Sequence, residues 1–375
     1  MPPAVSGRPT RIVVDLDHLA FNLRSIRAHV GVPVMGIVKA NAYGHGLVRV
    51  ALHLQAQGVE QLGVAFVEEG IALRQAGVTT PILVLGGIFG PQVAQYLAHD
   101  LEITVSSLDK LRQVEAAAQA MGRKAVVHLK IDTGMERIGV HSYSAGPFIE
   151  AAVASSWCVV KGIYSHLACS DDPASPMTLQ QVERFREACA HFERIGAPMP
   201  LRHLANSGGV LHFPETWLDM VRPGIVLYGV QPDPASRRTV ALKPAMSLAS
   251  QVVYFKVVKA GNTVSYGGTW AAPRDTRVVT VPIGYGDGYP RALSSRAQVL
   301  IRGQRHPVVG RVCMDQFMVD IGQGSAWNED EVVLIGCQGE ESITAEELAG
   351  LAGTIPYEIL TGLNDRIPRE YVGGA

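Results

Sequence analysis

A chain of 375 residues is long enough for two domains and a large core, and its 33 Lys plus Arg against 34 Asp plus Glu leave no basic excess for a nucleic-acid partner. Five cysteines (Cys158, Cys169, Cys189, Cys313 and Cys337), none in C-x-x-C spacing, argue against a disulfide framework and for reduced thiols in the cytoplasm. The opening MPPAVSGRPTRIVVD has no signal-peptide pattern, and no stretch reaches the roughly 18 uncharged apolar residues of a membrane span, so a soluble protein is expected.

From Val34 to Val230, short apolar runs alternate with longer amphipathic stretches, the rhythm of βα units. Strands are expected at 34–39, 62–66, 82–85, 103–105, 126–131, 160–164, 202–205 and 220–227. Between them, LVRVALHLQAQG, VEEGIALRQAG, SLDKLRQVEAAAQAMG and LQQVERFREACAHFERIG carry helix-spaced apolar residues and mostly end in Gly. Eight such units close an α/β fold, an eight-stranded (β/α)8 TIM-type barrel over residues 12–240, with its active site at the carboxyl ends of the strands. Beyond residue 240 the texture turns to short alternating segments, SLASQVVYFKVV, TRVVTVPIG, AQVLIRGQRHPVVG and DEVVLIG. A mainly β C-terminal domain is expected over 241–375, with residues 1–11 packed on it. One helix interrupts it, because Thr344 with Glu347 has the form of a capping box.

Polar residues collect at the expected strand ends. Lys39 closes the first strand in GIVKANAYGHG, Arg137 follows the fifth in KIDTGMERIG, and His166 follows the sixth in GIYSHLACSDD. Asn206 and Ser207 follow the seventh in RHLANSGG, and Arg222 lies on the eighth in MVRPGIVLYG. A lysine at the end of an apolar strand is costly to bury unless its amine is used, and a Schiff base removes the charge. A snorkelling lysine is the ordinary alternative; Tyr43, His45 and the glycines of NAYGHG weigh against it. Ser207-Gly208-Gly209 and Pro223-Gly224-Ile225 occupy the loops where such a barrel cradles phosphate, although either alone reads as a plain turn. Asp171-Asp172 lacks the further oxygen ligands Ca²⁺ or Mg²⁺ would need, so no metal is expected. Cys313 reads as a packing residue.

Nine strings in order resemble the alanine racemase family over nearly the whole chain: VKANAYGHG (38–46), KIDTGMERIG (130–139), SHLACSDD (165–172), ANSGG (205–209), RPGIVLYG (222–229), SYGGTW (265–270), PIGYGDGYPR (282–291), GRVCMDQ (310–316) and PYEILTGL (356–363). The resemblance implies a pyridoxal 5'-phosphate enzyme that interconverts L- and D-alanine and supplies D-alanine for peptidoglycan. Lys39 would carry the cofactor as a Schiff base and move the α-proton on one face; Tyr266, from the partner subunit of a homodimer with shared sites, would act on the other. Tyr43, Ser207, Gly224, Ile225 and Tyr357 would hold the cofactor's phosphate, and Asn206 would also bind the cofactor. His166 would pack against the ring, and Arg222, backed by His203, would meet the pyridine nitrogen. Arg137 and the partner's Met314 would bind the substrate carboxylate, with Asp315 in support and Lys130, often carbamylated in the family, orienting Arg137. Asp172, Tyr285, Arg291 and Arg311 would line the entrance. Thr361, where many members have Cys, is expected to stand clear of the chemistry. Decarboxylases on the same plan meet the pyridine nitrogen with a carboxylate, against which Arg222 argues. A cofactor-carrier protein resembles the barrel alone and leaves the β domain without a purpose.

Overall fold

Seven parallel strands follow one another around the first sheet in chain order: Met35–Ile37, Gln61–Val64, Ile82–Val84, Glu102–Val105, Ala125–Asp132, Cys158–Tyr164 and Leu201–His203. This is a computed structural model, and it describes residues 7–233, 236 and 238–374. The strands expected at 34–39 through 202–205 are all present, with ends shifted by a few residues. The eighth, expected at 220–227, is not a regular strand. Met220 and Val221 make single parallel bridges to His203 and Val34, closing the ring. Pro223 then has no N–H to continue the ladder, and the chain turns into a short 3-10 segment, Ile225–Tyr228. The neighbouring strands still find partners there, since Met35 N–H donates to the Val221 carbonyl at 2.8 Å and Ile37 N–H to that of Pro223 at 3.2 Å.

Near-continuous apolar runs suit these strands because helices cover the sheet. Those helices start and stop where the sequence supplies caps. Asp15 accepts from His18 N–H at the head of Leu16–Val30, and Ser107 from Lys110 N–H at the head of Leu108–Met121. The latter ends at Gly122, whose left-handed φ of 62° disfavours a side chain.

The second sheet is mixed. Its order runs Tyr254–Val258, Thr276–Val281, Phe317–Gly322, Gln304–Val309, Gln298–Ile301, Glu331–Gln338, Met246–Gln251, Arg11–Asp15 and Arg369–Val372. Arg11–Asp15 buries Ile12 and Val14 on its inner face and pairs antiparallel with Met246–Gln251 and parallel with Arg369–Val372. The barrel portion therefore begins with the helix Leu16–Val30, not at residue 12. Arg8 reaches Asp287 and Thr10 the Pro282 carbonyl, which ties the start of the described chain to this sheet; residues 1–6 lie outside the described residues. Half of the expected capping box forms. Thr344 accepts from Glu347 N–H, but the Glu347 carboxylate is taken by Arg305 at 2.7 Å.

Candidate active site

The carboxyl ends of the barrel strands enclose a cleft of about 590 Å³. Lys39, Tyr43, Lys130, Arg137, His166, Asn206, Ser207, Arg222, Gly224 and Tyr357 all line it, together with Tyr164 and Thr361. Thr361 was expected to stand clear, yet it faces the cleft because Pro356–Gly362 is a helix and position 361 lies one turn beyond Tyr357; its hydroxyl donates to the Tyr357 carbonyl at 2.8 Å.

Lys39 opens a turn in which four successive non-glycine residues are left-handed: Ala40, Asn41, Ala42 and Tyr43, with φ between 51° and 55°. Such a conformation costs roughly 1 kcal/mol or more per residue, so the surroundings must impose it. Asn41 Oδ1 accepts from Leu47 N–H at 2.8 Å, and the buried His45 imidazole meets the carbonyls of Ala42 and Tyr43 at 3.0 Å. Burial pulls the Lys39 amine below its ordinary pKa and Arg137 adds to the fall, while Glu69 opposes it.

Across the cleft, Ser207 Oγ accepts from Gly224 N–H at 3.0 Å. A Cβ at position 224 would stand 2.3 Å from Tyr43 Oη, so only glycine permits this approach. Arg137 is placed by Asp132, whose carboxylate accepts from the backbone N–H groups of Gly134, Met135, Glu136 and Arg137 and folds the KIDTGMER loop over the strand end.

Arg222 is almost fully buried. It donates to the carbonyls of His203 at 2.6 Å, Ser165 at 2.7 Å and Leu204 at 3.2 Å, and to His203 Nδ1 at 3.1 Å. That last bond sets a chain of tautomers. A guanidinium can only donate, so His203 Nδ1 accepts and its Nε2–H donates to His128 Nδ1 at 2.9 Å. His128 Nε2–H then donates to Glu102 at 2.8 Å, and Glu102 pairs with Lys161 at 2.5 Å. Burial holds both imidazoles below their ordinary pKa, in keeping with neutral rings. His128, Glu102 and Tyr164 escaped the sequence reading. The available signal was a polar residue inside an apolar strand, as in AVVHLKID. His203 and Ile225 lie behind the wall of the cleft, not on it.

Except for Asp172, which lies on the barrel, the remaining expected residues form a second group on the β domain, outside this cleft. Tyr266, 72% exposed, follows Ser265, which has a φ of 68° and whose hydroxyl donates to the Arg311 carbonyl. Tyr285 N–H donates to the Cys313 carbonyl and Gly286 N–H to that of Met314. Asp315 pairs with Arg366, which also approaches the buried Asp287. Exposed Met314, Tyr285 and Tyr266 thus share a rim with Arg311. Arg291 and Asp172 are exposed and line no part of the cleft.

Two family models account for the chain: "Alanine racemase, N-terminal domain" matches residues 14–232, and "Alanine racemase, C-terminal domain" matches residues 245–371. The chain belongs to the alanine racemase family. It is an amino-acid racemase by that membership, an isomerase. The alanine racemase of Symbiobacterium thermophilum is 44% identical over 98% of both chains, and that of Desulforamulus reducens is 42% identical over 96% of this chain and 98% of the relative. Among solved structures, the alanine racemase of the D-cycloserine producer Streptomyces lavendulae superposes with a TM-score of 0.95 at 38% identity, covering 99% of this chain and 98% of that one. The Bartonella henselae alanine racemase, solved with covalently bound pyridoxal phosphate, gives 0.89 at 28% identity over 98% and 100%. Among the described residues no helix is long and apolar enough to cross a membrane.

Proposed function

We propose that this chain interconverts L- and D-alanine with pyridoxal phosphate in the barrel cleft, and that two copies complete each other's sites. The observation that carries the reading is Lys39, an amine depressed by burial, sharing one cleft with the Ser207–Gly224 cradle and the donor-only Arg222. The residues fit the cofactor. Tyr43, Ser207, Gly224 and Tyr357, with Ile225 behind them, would hold its phosphate where a side chain at 224 would collide with Tyr43, and Asn206 lines the cleft beside them. Lys39 would hold its aldehyde carbon, His166 would pack on its ring, and Arg222 would face its pyridine nitrogen. When bound, the cofactor supplies a sink for the electrons left on the substrate's α-carbon.

The chain's own residues do the rest. A depressed lysine pKa leaves more free amine at neutral pH, as a proton acceptor needs. Arg222 offers only donors, so it leaves a ring nitrogen opposite it without a proton. Racemisation needs a second acid/base group on the opposite face, and one strand end cannot supply both. Tyr266 is supported in that role by its exposure on the other domain, where a second copy can take it up. The same rim would bring the Met314 backbone to the substrate carboxylate beside Arg137, with Asp315 fixing the rim and Asp172, Tyr285, Arg291 and Arg311 at the entrance. Five unpaired cysteines support a cytoplasmic setting, and the product would serve peptidoglycan synthesis.

The test is incubation with L-alanine and pyridoxal phosphate in deuterated water, following optical rotation and α-deuterium together. Loss of rotation with label incorporation is expected, whereas carbon dioxide release would overturn the reading. Lys39→Ala should lose the bound-cofactor absorbance; Tyr266→Phe should keep it and stop interconversion. Mixing the two should restore activity through hybrid dimers, and no recovery despite proven subunit exchange would refute a shared site.

A further inference from the structure

The residues lining the cleft include two guanidinium groups, Arg137 and Arg222, together with Lys130, and no Asp or Glu. The other titratable groups there do not offset them. Burial and these cations hold His166 well below its ordinary pKa, and burial pushes the phenols of Tyr43, Tyr164 and Tyr357 up, so all four are neutral near pH 7. Beside the Lys39 turn itself, a carboxylate stands just behind the wall.

Glu69 sits in the first turn of the helix Val67–Gln75. Its Oε1 accepts from Ala40 N–H at 2.7 Å, and its Oε2 accepts from Ala65 N–H at 2.8 Å and Phe66 N–H at 3.3 Å. Ala40 is the first left-handed residue after Lys39, and Ala65 follows the neighbouring strand Gln61–Val64. Both line the cleft. Among the described residues no cation lies within ion-pair distance of Glu69, so its charge is met by backbone donors and the helix N-terminus and remains uncompensated toward Lys39.

We propose that Glu69 is a positioning residue for Lys39: it fastens the left-handed turn that carries the amine to the end of the adjacent strand, and its carboxylate offsets the positive charge of Arg137 beside that amine. The helix would be capped equally well by a carboxylate holding only Phe66 N–H, the usual reach of a capping residue. The bond to Ala40 crosses to a different strand end and serves the turn. The direction of its effect on the amine agrees, since Glu69 raises the Lys39 pKa against burial and Arg137. The proposal rests on Lys39 being the reactive amine of the proposed function.

The test uses the full-length chain freed of cofactor. Lys39 is pulse-acylated with acetic anhydride across a pH series and quantified by peptide mass spectrometry, while amide hydrogen exchange is followed at Ala40 and Ala65. Glu69→Gln should lower the midpoint of Lys39 acylation by about one pH unit and raise Ala40 exchange roughly tenfold for the bond it weakens. Glu69→Asp, which keeps the charge but not the reach, should leave the midpoint near wild type and still loosen Ala40. Glu68→Gln, an exposed neighbour bonded to Gln92, should change neither. An unchanged midpoint in Glu69→Gln, or unchanged Ala40 exchange in both Glu69 variants, overturns the proposal. Since acylation reads the amine without pyridoxal phosphate, its outcome is separable from that of the racemisation assay: a wild-type protein that fails to racemise sinks the proposed function and leaves the midpoints interpretable.

Discussion

Replacing Gly224 by alanine isolates the close approach on which the cradle depends. The new Cβ would meet Tyr43 Oη at 2.3 Å, Cζ at 3.0 Å and Cε1 at 3.7 Å. Gly224 has a φ of −102°, outside the left-handed region, and the collision with Tyr43 is the effect the test isolates. Tyr43 has little room to yield. It is 6% exposed, packs 5.0 Å from the ring of Tyr228 and 6.0 Å from that of Tyr357, and sits in the left-handed turn after Lys39. Overpacking of this kind costs about 1–3 kcal/mol, and displacing Tyr43 should weaken pyridoxal phosphate binding by about tenfold or more for every 1.4 kcal/mol lost from the cradle. Tyr43→Phe in the Gly224→Ala background removes the atom at 2.3 Å and leaves the next at 3.0 Å. The double mutant should therefore recover about 1 kcal/mol relative to additivity. Urea denaturation of the four proteins and cofactor titration by absorbance measure both quantities. Additive losses would refute the claim that Tyr43 Oη is what keeps position 224 a glycine.

Three further outcomes follow from the same geometry. The imidazoles of His45, His128 and His203, all buried, and of His166, which lines the cleft, have depressed pKa values, His45 down to about 4, so the folded state holds them neutral while the unfolded chain binds protons below about pH 6.5. Their stabilisation is complete above that pH and lost as the pH falls toward the folded values; His45 alone accounts for about 3 kcal/mol between pH 6.5 and 4, and a flat denaturation free energy over that window would contradict it. Arg222→Ala leaves the carbonyls of His203, Ser165 and Leu204 without their donor in a buried site, a loss of about 3 kcal/mol in urea unfolding; Arg222→Lys, which cannot reproduce the fork, should recover only part of it. Lys130 is buried and pushed well below its ordinary pKa by burial, Arg222 and Arg137, which raises the share of free amine that can add carbon dioxide, release a proton and then orient Arg137 as a carbamate. Intact mass in bicarbonate buffer should show one added carbon dioxide that disappears in Lys130→Ala, and a bare amine both there and in a high-resolution map would refute it.

The positions of the barrel strands and of Lys39, Arg137, His166, Ser207 and Arg222 at their ends could be read from the chain, because apolar runs and the polar residues that stop them are local properties. The irregular eighth strand was also signalled locally by Pro223, but its pairing with Val34 and His203 depends on closure of the ring, which periodicity does not encode. Glu69 reads as an ordinary helix-capping acid until the fold lays Ala40 beside it. His128 and Glu102 read as interruptions of apolar strands until the barrel stacks them beneath Arg222. The strand at Arg11–Asp15 pairs with residues more than 200 positions away, so its sheet is a tertiary choice. By itself, then, the sequence determined the alternation of elements, the family and most of the side chains at the rim. Only the tertiary structure decided which backbone N–H groups and buried imidazoles stand behind them, since hydrogen bonds and desolvation depend on neighbours far apart in the chain.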